Sequence, residues 1–401
     1  MVIFLLRKDN LVFMKIYYWS PFISKVATVA SVVRSAESIL KYSKKKNNIY
    51  VAIIDAIGEW GDYKKTIDPK IEIIKLYRKS IFNNLPKGGF VKSRISFIII
   101  FILNFFRLLN LINKEKPDYL ITHLLTSLPI FLTSITKNKT KIVLRISGLP
   151  KLNFIRYIFW KLFSKNIYKV TCPTITTYKH LLKINIFEKN KLYILRDPVI
   201  RPHEFLKKKK EKIDNLKIEK KNFIVGIGRL TRQKNFHLLI KAFDKILIKY
   251  PNYHLILLGE GEEEKMLREE AKKYEIDNKI SFLGHQNNVY KYLLISDCFI
   301  LTSLWEDPGF VILEAAVSNT LIISSDCPNG PNEILSGGQN GFLFKNNDES
   351  DLLKKFDEFK NSSEDELKRK KISMKKQVKM FTQFAHFKSL ENIIELNDKK
   401  D

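Results

Sequence analysis

The sequence predicts an α/β protein of two doubly wound, Rossmann-like domains, each a parallel sheet, that face each other across a cleft. Its 401 residues exceed the roughly 250–300 residues at which a single hydrophobic core stops growing, so two domains are expected. Short apolar strands alternate with helical patterns, which indicates parallel sheets covered by helices on both faces. A charged boundary segment, 201–222, separates this alternation into two blocks.

The strands are predicted from short apolar or β-branched runs bounded by turn residues. In the first block these runs predict strands at Lys15–Trp19, Ile49–Ile54, Ile71–Leu76, Tyr119–Thr122 and Lys141–Arg145. In the second block they predict strands at Phe223–Gly228, His254–Leu258, Ile280–Leu283, Cys298–Leu301, Leu321–Ser324 and Gly341–Phe344. Helical periodicity predicts helices at Glu262–Tyr274, Val289–Leu294 and Phe310–Val317.

These patterns set the expected domain limits. The N-terminal domain is expected over 14–200 and the C-terminal domain over 223–380. The last segment, 381–401, is predicted to form a C-terminal helix in which aromatic residues return. Residues 1–13 are expected to be an upstream start or a tail, because Met14 directly precedes a strand pattern.

Composition narrows the possible functions. The chain carries 70 Lys and Arg against 42 Asp and Glu, a formal net charge of +28. The lysines are spread along the chain without a zinc finger or a compact basic and aromatic stripe, so we expect no nucleic-acid partner. The three cysteines show neither a CxxC motif nor metal-ligand spacing, which argues against a disulfide framework and favours a reducing, cytoplasmic compartment.

The most apolar run is Ile95–Phe106. A membrane-spanning helix needs about 20 such residues, and this run meets Asn104 and Arg107 before that length. Two interpretations stay open: a core helix of an α/β domain, or an interfacial helix on an anionic membrane face. The second would make the protein peripheral on the inner face of the cytoplasmic membrane. The flanking cations Lys87, Lys92, Arg94 and Arg107 suit this second interpretation, and the first is equally compatible with the length of the run.

A first candidate site begins where a predicted strand ends at Gly228. Arg229, Arg232 and Lys234 follow before the next helix. The free N–H groups and the dipole of a helix N-terminus already attract anions, and cations placed there suit a polyanion such as a diphosphate. Taken alone, this segment could equally be a solvated basic turn.

A second candidate site carries two carboxylates. Glu306 lies in a strand-to-helix loop, and Glu314 lies about one turn into the following helix. The backbone N–H groups of Gly309 and Phe310 are at that helix N-terminus and can bind an anion. Glu314 can accept hydrogen bonds from a vicinal diol such as a ribose, and Glu306 can accept them from sugar hydroxyls.

These motifs together resemble the donor site of the retaining family-4 glycosyltransferases with the GT-B fold, the glycosyl transferases group 1. The resemblance is carried by Gly228-Arg229-xxxx-Lys234, by Glu306-x7-Glu314 and by the segment from Ser324 to Glu333, and it covers about 223–344. In the first half it is carried mainly by strand order and by His123, which follows a strand. The resemblance implies that the C-terminal helix crosses back to the N-terminal, acceptor-side domain.

The resemblance also implies a role for each residue. Arg229 and Lys234 would hold the donor diphosphate, Glu306 would contact the transferred sugar, and Glu314 would bind the ribose. His123 would lie near the sugar on the acceptor side. The remaining donor-binding positions would be Gly228, His285, Gly309, Phe310 and Val311.

No Asp-x-Asp pair is present to hold a metal, so cationic side chains would neutralise the leaving group; neither a metal nor another cofactor is expected. The expected partners are a nucleotide-sugar donor, with a UDP-hexose or UDP-N-acetylhexosamine favoured, and a glycan or lipid-linked acceptor. The resemblance implies a retaining hexosyltransferase of cell-surface polysaccharide or lipopolysaccharide synthesis. Alternatives are a nucleotide-sugar epimerase, a phosphorylase with pyridoxal phosphate, and a non-enzymatic basic protein that binds polyanions.

Overall fold

The protein consists of two compact units. The computed structural model describes residues 14–24, 27–86, 89–136, 139–150, 152–211 and 222–396. Unit 1 takes the described residues up to Pro173, Tyr178–Pro198 and those from Gln383 onward; unit 2 takes Thr174–Thr177 and Val199–Thr382. The segment expected to be an upstream start or tail, 1–13, lies outside the described residues.

Unit 1 is built on a seven-stranded sheet whose neighbouring strands all run parallel. In chain order the strands are β1 (Met14–Trp19), β2 (Ile49–Asp55), β3 (Glu72–Lys75), β4 (Tyr119–Thr122), β5 (Lys141–Arg145), β6 (Ile167–Cys172) and β7 (Leu192–Ile194). Across the sheet the order is β3-β2-β1-β4-β5-β6-β7, so the winding direction reverses between β1 and β4. Ile16, Tyr17, Tyr18 and Trp19 of β1 are all buried, as expected for a strand covered on both faces.

Unit 2 contains a six-stranded parallel sheet. Its strands are β8 (Phe223–Ile227), β9 (His254–Leu258), β10 (Ile280–Phe282), β11 (Cys298–Leu301), β12 (Leu321–Ser325) and β13 (Phe342–Phe344). The order across the sheet is β10-β9-β8-β11-β12-β13, so here the winding reverses between β8 and β11.

Helices cover these sheets. In chain order they are α1 (Ala27–Tyr42), α2 (Phe90–Glu115), α3 (Ser127–Ile135), α4 (Phe154–Phe163), α5 (Ile175–Ile184), α6 (Pro202–Lys208), α7 (Phe236–Lys249), α8 (Glu264–Lys273), α9 (Tyr290–Leu293), α10 (Phe310–Val317), α11 (Pro331–Ile334), α12 (Glu349–Asn361), α13 (Glu364–Val378) and α14 (Gln383–Ile393). Most show the one-sided burial of amphipathic helices: α7, for instance, buries Phe236, Leu239, Ala242, Phe243 and Ile246 at helical spacing.

The predicted α/β class with two parallel sheets is confirmed, and four predicted strands have the predicted bounds. Two strands of unit 1, β6 and β7, were not predicted. The reason is physical: β6 carries Lys169, whose amine reaches the Tyr193 hydroxyl at 2.9 Å, and β7 is only three residues long. The segment predicted to be a charged boundary, 201–222, contains helix α6, in which the ring of Phe205 packs against Tyr290. Residues 212–221 of this segment lie outside the described residues.

The apolar run at 95–106 forms part of a longer helix than its composition predicted. α2 is 26 residues long and continues through Asn104 and Arg107. The prediction that these two residues limit the length of the apolar helix is therefore wrong. By length and composition Val91–Glu115 could cross a membrane. The Asn104 side chain is buried and donates to the Ile100 carbonyl at 2.9 Å. A polar side chain can therefore occur in this helix without ending it.

The last helix, α14, belongs to unit 1 although it follows unit 2 in the chain. Phe387 and Leu390 of α14 lie in the same buried cluster as Val32 and Ala36 of α1. His386 on α14 is buried, with Nδ1 2.7 Å from the Arg196 carbonyl and Nε2 2.8 Å from the Ser35 hydroxyl. Core packing and a buried hydrogen-bond chain thus fasten this helix to unit 1.

The buried His386 predicts a loss of stability in acid. Burial lowers its pKa from 6.5 to about 4, so below pH 6.5 the unfolded chain binds the proton and the folded chain does not. Stability is complete above pH 6.5 and falls as pH drops towards 4, by about 3 kcal/mol for this group. Urea midpoints measured across this range should fall less steeply in His386→Gln. His180→Gln, half-buried on α5, is the control, and equal slopes in wild type and His386→Gln would contradict the assignment.

Candidate active site

The candidate site of unit 2 lies at the carboxyl edge of its sheet, where β8 and β11 are neighbours. Because the winding reverses between these strands, the loops that follow them diverge and leave a crevice, the usual ligand position in open α/β sheets. The loop after β8 carries Gly228, Arg229 and Lys234, and the loop after β11 carries Glu306. Topology therefore brings the two predicted motifs to one crevice.

Gly228 allows Lys234 to fold back over the end of β8. Its φ is +157°, and a Cβ placed there would lie 3.0 Å from the Cδ and Cε atoms of Lys234. The Lys234 carbonyl accepts a hydrogen bond from Thr302 Oγ1 at 3.0 Å, which joins the loop to the end of β11. The lysine is thus held by its backbone, and its aliphatic stem lies against a glycine that leaves room for it.

Lys234 and Glu306 form an ion pair across the crevice. The Nζ–Oε1 distance is 2.5 Å, and the exposed fractions of the side chains are 14% and 5%. Ser303 Oγ donates to the same carboxylate oxygen at 2.5 Å. A buried carboxylate is stable only when it is paired and hydrogen-bonded, and both conditions are met here.

The Pro/Gly loop after β12 supports Glu306 from behind. The Glu306 N–H donates to the Pro328 carbonyl at 3.1 Å, and Ser325 Oγ donates to the Ser303 carbonyl at 2.6 Å. Burial, with a smaller contribution from the Glu306 charge, raises the pKa of the nearby Cys327 thiol to about 12. Cys327 therefore stays a neutral thiol beside the ion pair at physiological pH.

Helix α10 begins at the same place. Gly309 caps it with φ +88°, a conformation that favours glycine, and a Cβ there would lie 3.3 Å from Glu306 Cγ. Phe310 and Val311 are the first two helical residues, so their N–H groups are among those without an intrahelical partner. Glu314 is half-buried one turn further on. The helix N-terminus and the ion pair thus form one charged surface.

The loops after β8, β9 and β10 are tied together by close backbone contacts. A Cβ on Gly259 would lie 1.8 Å from the Gly228 carbonyl oxygen, so only glycine fits. The Gly259 N–H donates to the Gly284 carbonyl at 2.8 Å, and the His285 N–H donates to Glu260 Oε1 at 3.2 Å. The His285 side chain is exposed beside this loop.

His123 belongs to unit 1, directly after β4 and at the point where the winding of that sheet reverses. It is buried, and its Nδ1 has no hydrogen-bond partner among the described residues. Burial first, then the positive charge of Arg145 and the interaction with His386, holds its pKa well below the usual value. The imidazole is therefore neutral near pH 7 and can exchange hydrogen bonds without carrying charge.

Further polar groups at this edge of unit 1 escaped the sequence analysis. Asp55 at the end of β2 and Glu59 are both buried, and Glu59 accepts the Ile57 N–H at 2.8 Å. Burial, and then the neighbouring Asp55, raises the pKa of Glu59 well above its usual value. Ser20, after β1, is buried with no partner for its hydroxyl among the described residues. A strand-end position was the only sequence signal for these groups.

In the structure Gly228, Lys234, Glu306 and Gly309 lie next to one another: Gly228 adjoins Lys234, which pairs with Glu306, which adjoins Gly309. Arg229 is exposed in the same loop as Lys234, and Phe310, Val311 and Glu314 lie on the helix that Gly309 caps. Sequence reasoning missed Ser303, Thr302 and Ser325, which hold the ion pair in place. No three His, Cys, Asp or Glu side chains in the described part of the chain are grouped so as to hold a metal ion.

Comparisons with known proteins agree with this arrangement. Residues 207–378 match the model of the family Glycosyl transferases group 1. The matched region, which is less than half of the chain, is similar to the group 1 glycosyltransferases. It is 33% identical over 248 residues to an uncharacterized glycosyltransferase of Methanocaldococcus jannaschii, which covers 57% of this chain and 61% of that protein. The predicted resemblance to this family is confirmed.

A second relative is the N-acetylgalactosamine-N,N'-diacetylbacillosaminyl-diphospho-undecaprenol 4-alpha-N-acetylgalactosaminyltransferase of Campylobacter jejuni. It is 29% identical over 151 residues, 38% of this chain and 40% of that protein. The chain thus spans less than two thirds of the length of these relatives. The region that the family model matches, 207–378, contains the candidate motifs from Gly228 to Glu333.

Solved structures extend the likeness to nearly the whole chain. A glycosyltransferase of Rickettsia africae ESF-5 has a TM-score of 0.72 at 18% identity and covers 97% of this chain and 99% of that one. Anabaena HepE in complex with UDP also has a TM-score of 0.72, at 13% identity, and covers 96% and 100%. At these identities the likeness shows the fold, and the chain has the predicted GT-B fold.

The buried ion pair predicts strong energetic coupling between its two residues. Lys234→Met leaves the Glu306 carboxylate buried without its cation and should lower the free energy of unfolding by about 3 kcal/mol. In Lys234→Met/Glu306→Gln the loss should be smaller than the sum of the single losses by about 1–3 kcal/mol. The measurement is a urea-unfolding double-mutant cycle.

An exposed pair on α8 offers a matched control. Lys265 and Glu269 are 3.9 Å apart on the helix surface, and their coupling should stay below about 0.5 kcal/mol. If the Lys234–Glu306 cycle gave a value as small as this control, the ion pair would not be an organising contact of the site.

Proposed function

We propose that this chain transfers a sugar from a nucleoside-diphosphate donor to a hydroxyl group of a glycan or lipid-linked acceptor. The observation that supports this most directly is the buried Lys234–Glu306 pair beside the N-terminus of α10. A cation and free N–H groups suit a diphosphate, and a carboxylate in contact with the cation suits sugar hydroxyls. The diphospho-undecaprenol named for the Campylobacter jejuni relative supports a lipid-linked acceptor.

The reaction needs charge stabilisation at one place. The bond between the anomeric carbon and the diphosphate oxygen breaks, and its electron pair stays on the diphosphate. The acceptor hydroxyl oxygen bonds to the anomeric carbon and gives up its proton to the departing diphosphate. Negative charge therefore grows on the phosphate oxygens, where Arg229, Lys234 and the N–H groups of Phe310 and Val311 would act. We propose retention of the anomeric configuration and transfer without a metal ion.

The remaining residues would fix the donor and the acceptor. Glu314 would bind the ribose, Glu306 the transferred sugar, and the loop that begins at His285 the base. His123, neutral and with no partner for its buried Nδ1 among the described residues, would hydrogen-bond a sugar hydroxyl on the acceptor side. We propose a UDP-hexose or UDP-N-acetylhexosamine as donor, supported by the UDP complex of the similar Anabaena protein, and a role in cell-surface polysaccharide or lipopolysaccharide synthesis.

Nucleotide binding tests the donor site. UDP, GDP, ADP, dTDP, CDP and tripolyphosphate are compared by thermal shift without added metal. One nucleoside diphosphate should raise the melting temperature, as expected from about 2.7 kcal/mol of stabilisation at a hundredfold excess over Kd. Arg229→Ala and Glu314→Ala should abolish the shift, and Lys265→Ala on α8 should keep it. Equal stabilisation by tripolyphosphate would instead support a protein that binds any polyanion.

Turnover tests the chemistry. The donor in this assay is a sugar linked to the nucleoside diphosphate that raised the melting temperature, and the acceptor is a lipid extract. Lys234→Ala should lower the transfer rate by about 10²–10³-fold, because one preorganised charge is lost where negative charge develops. Full transfer by Lys234→Ala or Glu306→Ala would contradict the site assignment. A new nucleotide sugar formed without acceptor would indicate an epimerase, and absorbance of a bound pyridoxal phosphate would indicate a phosphorylase.

A further inference from the structure

Helix α2 exposes a continuous apolar stripe. Val91, Ile95, Ile98, Ile102 and Phe106 recur at intervals of three or four residues and lie on one face, along roughly 22 Å of the helix. Ile102 is 66% exposed and Phe106 is 71% exposed. The opposite face is buried in the core of unit 1 through Ser96, Ile100, Asn104, Leu108 and Ile112. The helix is therefore apolar on both sides, and on one side its apolar side chains are largely exposed.

Helix α4 continues this surface. Phe154 and Ile155 are each 77% exposed, and Ile158 and Leu162 follow on the same face. Helix α3 joins the two: the ring centroid of Phe131 lies 6.1 Å from that of Phe105 on α2 and 5.8 Å from that of Phe163 on α4. Soluble monomers rarely expose contiguous apolar patches of this extent, so the surface indicates a partner.

Charge around the surface identifies the class of partner. α2, α3 and α4 carry Lys92, Arg94, Arg107, Lys114, Arg156 and Lys161, whereas Glu115 at the very end of α2 is their only acidic residue. Arg94 and Arg156 approach each other across the helices: partial desolvation, and then the charge of Arg94, lowers the pKa of Arg156. Anionic groups at this rim would offset that repulsion.

Helix α2 exposes one face but is also fixed to the rest of unit 1 by side-chain contacts. Arg107 Nη1 donates to the Leu76 carbonyl at 2.9 Å, and its guanidinium lies 4.0 Å from the centre of the Tyr77 ring. Tyr77 also donates its hydroxyl to the Leu103 carbonyl at 2.6 Å. A helix fixed in this way, with its Asn104 face in the core, is placed to lie in a membrane surface rather than to cross it.

We propose that the exposed faces of α2 and α4 together bind the surface of an anionic lipid bilayer, with the apolar side chains inserted among acyl chains and the surrounding cations on lipid phosphates. A second copy of the chain fits less well, because a symmetric contact would bring two basic rims together. A protein partner would be expected to find hydrogen-bonding side chains within its interface, and the α2 stripe has none. The inference goes beyond sugar transfer and needs no donor.

Flotation with lipid vesicles tests the proposal. The full chain is mixed with vesicles of phosphatidylcholine alone or of phosphatidylcholine with phosphatidylglycerol, at low and at physiological salt. Wild type should float with the anionic vesicles. Ile98→Glu/Ile102→Glu should lower the vesicle-bound fraction on the order of tenfold or more, because two charges enter the inserted face. Lys92→Gln should lower the partition coefficient about fivefold, the share of one surface cation.

A matched control uses the exposed Ile248 on α7 of unit 2, which is 81% exposed. Ile248→Glu should float like wild type, and both Glu variants should keep the urea midpoint and the nucleotide-induced thermal shift of wild type. In wild type that shift reports the donor site separately, so its absence there would count against the proposed function and leave the membrane result intact.

Four outcomes would overturn the proposal. One is wild type that stays unbound with anionic vesicles at both salt concentrations. Another is an equal loss of flotation in Ile248→Glu. The third is a dimer, seen by light scattering, that Ile98→Glu/Ile102→Glu dissociates while flotation persists, since the surface would then bind a second copy. The last is vesicle-bound protein that resists alkaline carbonate extraction, which would indicate a helix that crosses the bilayer.

Discussion

The contact between Lys234 and Glu306 organises unit 2, because it places two opposite charges in a region from which water is largely excluded. Neither charge would be stable there alone, and each determines where the other can lie. The strands after which the two residues follow are neighbours only because the sheet reverses its winding between them. Strand order thus brings the two loops together, and the ion pair then fixes the position of the Lys234 cation near the N-terminus of α10.

The same contact explains the distribution of glycines around it. Gly228 leaves room for the lysine stem, Gly309 turns the chain beside the carboxylate, and Gly259 lets the neighbouring loop approach the Gly228 carbonyl. Each would meet its neighbour at 3.3 Å or less if it carried a Cβ. Backbone N–H groups and charged side chains thus lie close together, which is the arrangement that the proposed diphosphate site needs.

The fold class and the motif positions could be predicted from sequence because buried parallel strands are nearly continuous apolar runs, as at His254–Leu258. β6 was missed because Lys169 interrupts that signal. The ion pair itself could not be predicted: Lys234 and Glu306 are 72 residues apart, and only the strand order makes them neighbours. Ser303 was missed for the same reason, since a serine after a strand carries no local sign of its partner. The length of α2 was misjudged because a buried asparagine can donate its side-chain N–H to a carbonyl of its own helix.

Helix α14 has a consequence for synthesis on the ribosome. Its residues complete the core of unit 1 but emerge only after the whole of unit 2 has been made. The surface of α1 against which Phe387 and Leu390 pack therefore stays exposed while the chain is elongated at about 5–20 residues per second. Unit 2, which is contiguous apart from one short segment, has all its parts as soon as it leaves the exit tunnel. The part of the protein that is made first is thus the part that matures last, because the core of unit 1 stays incomplete until α14 has left the ribosome.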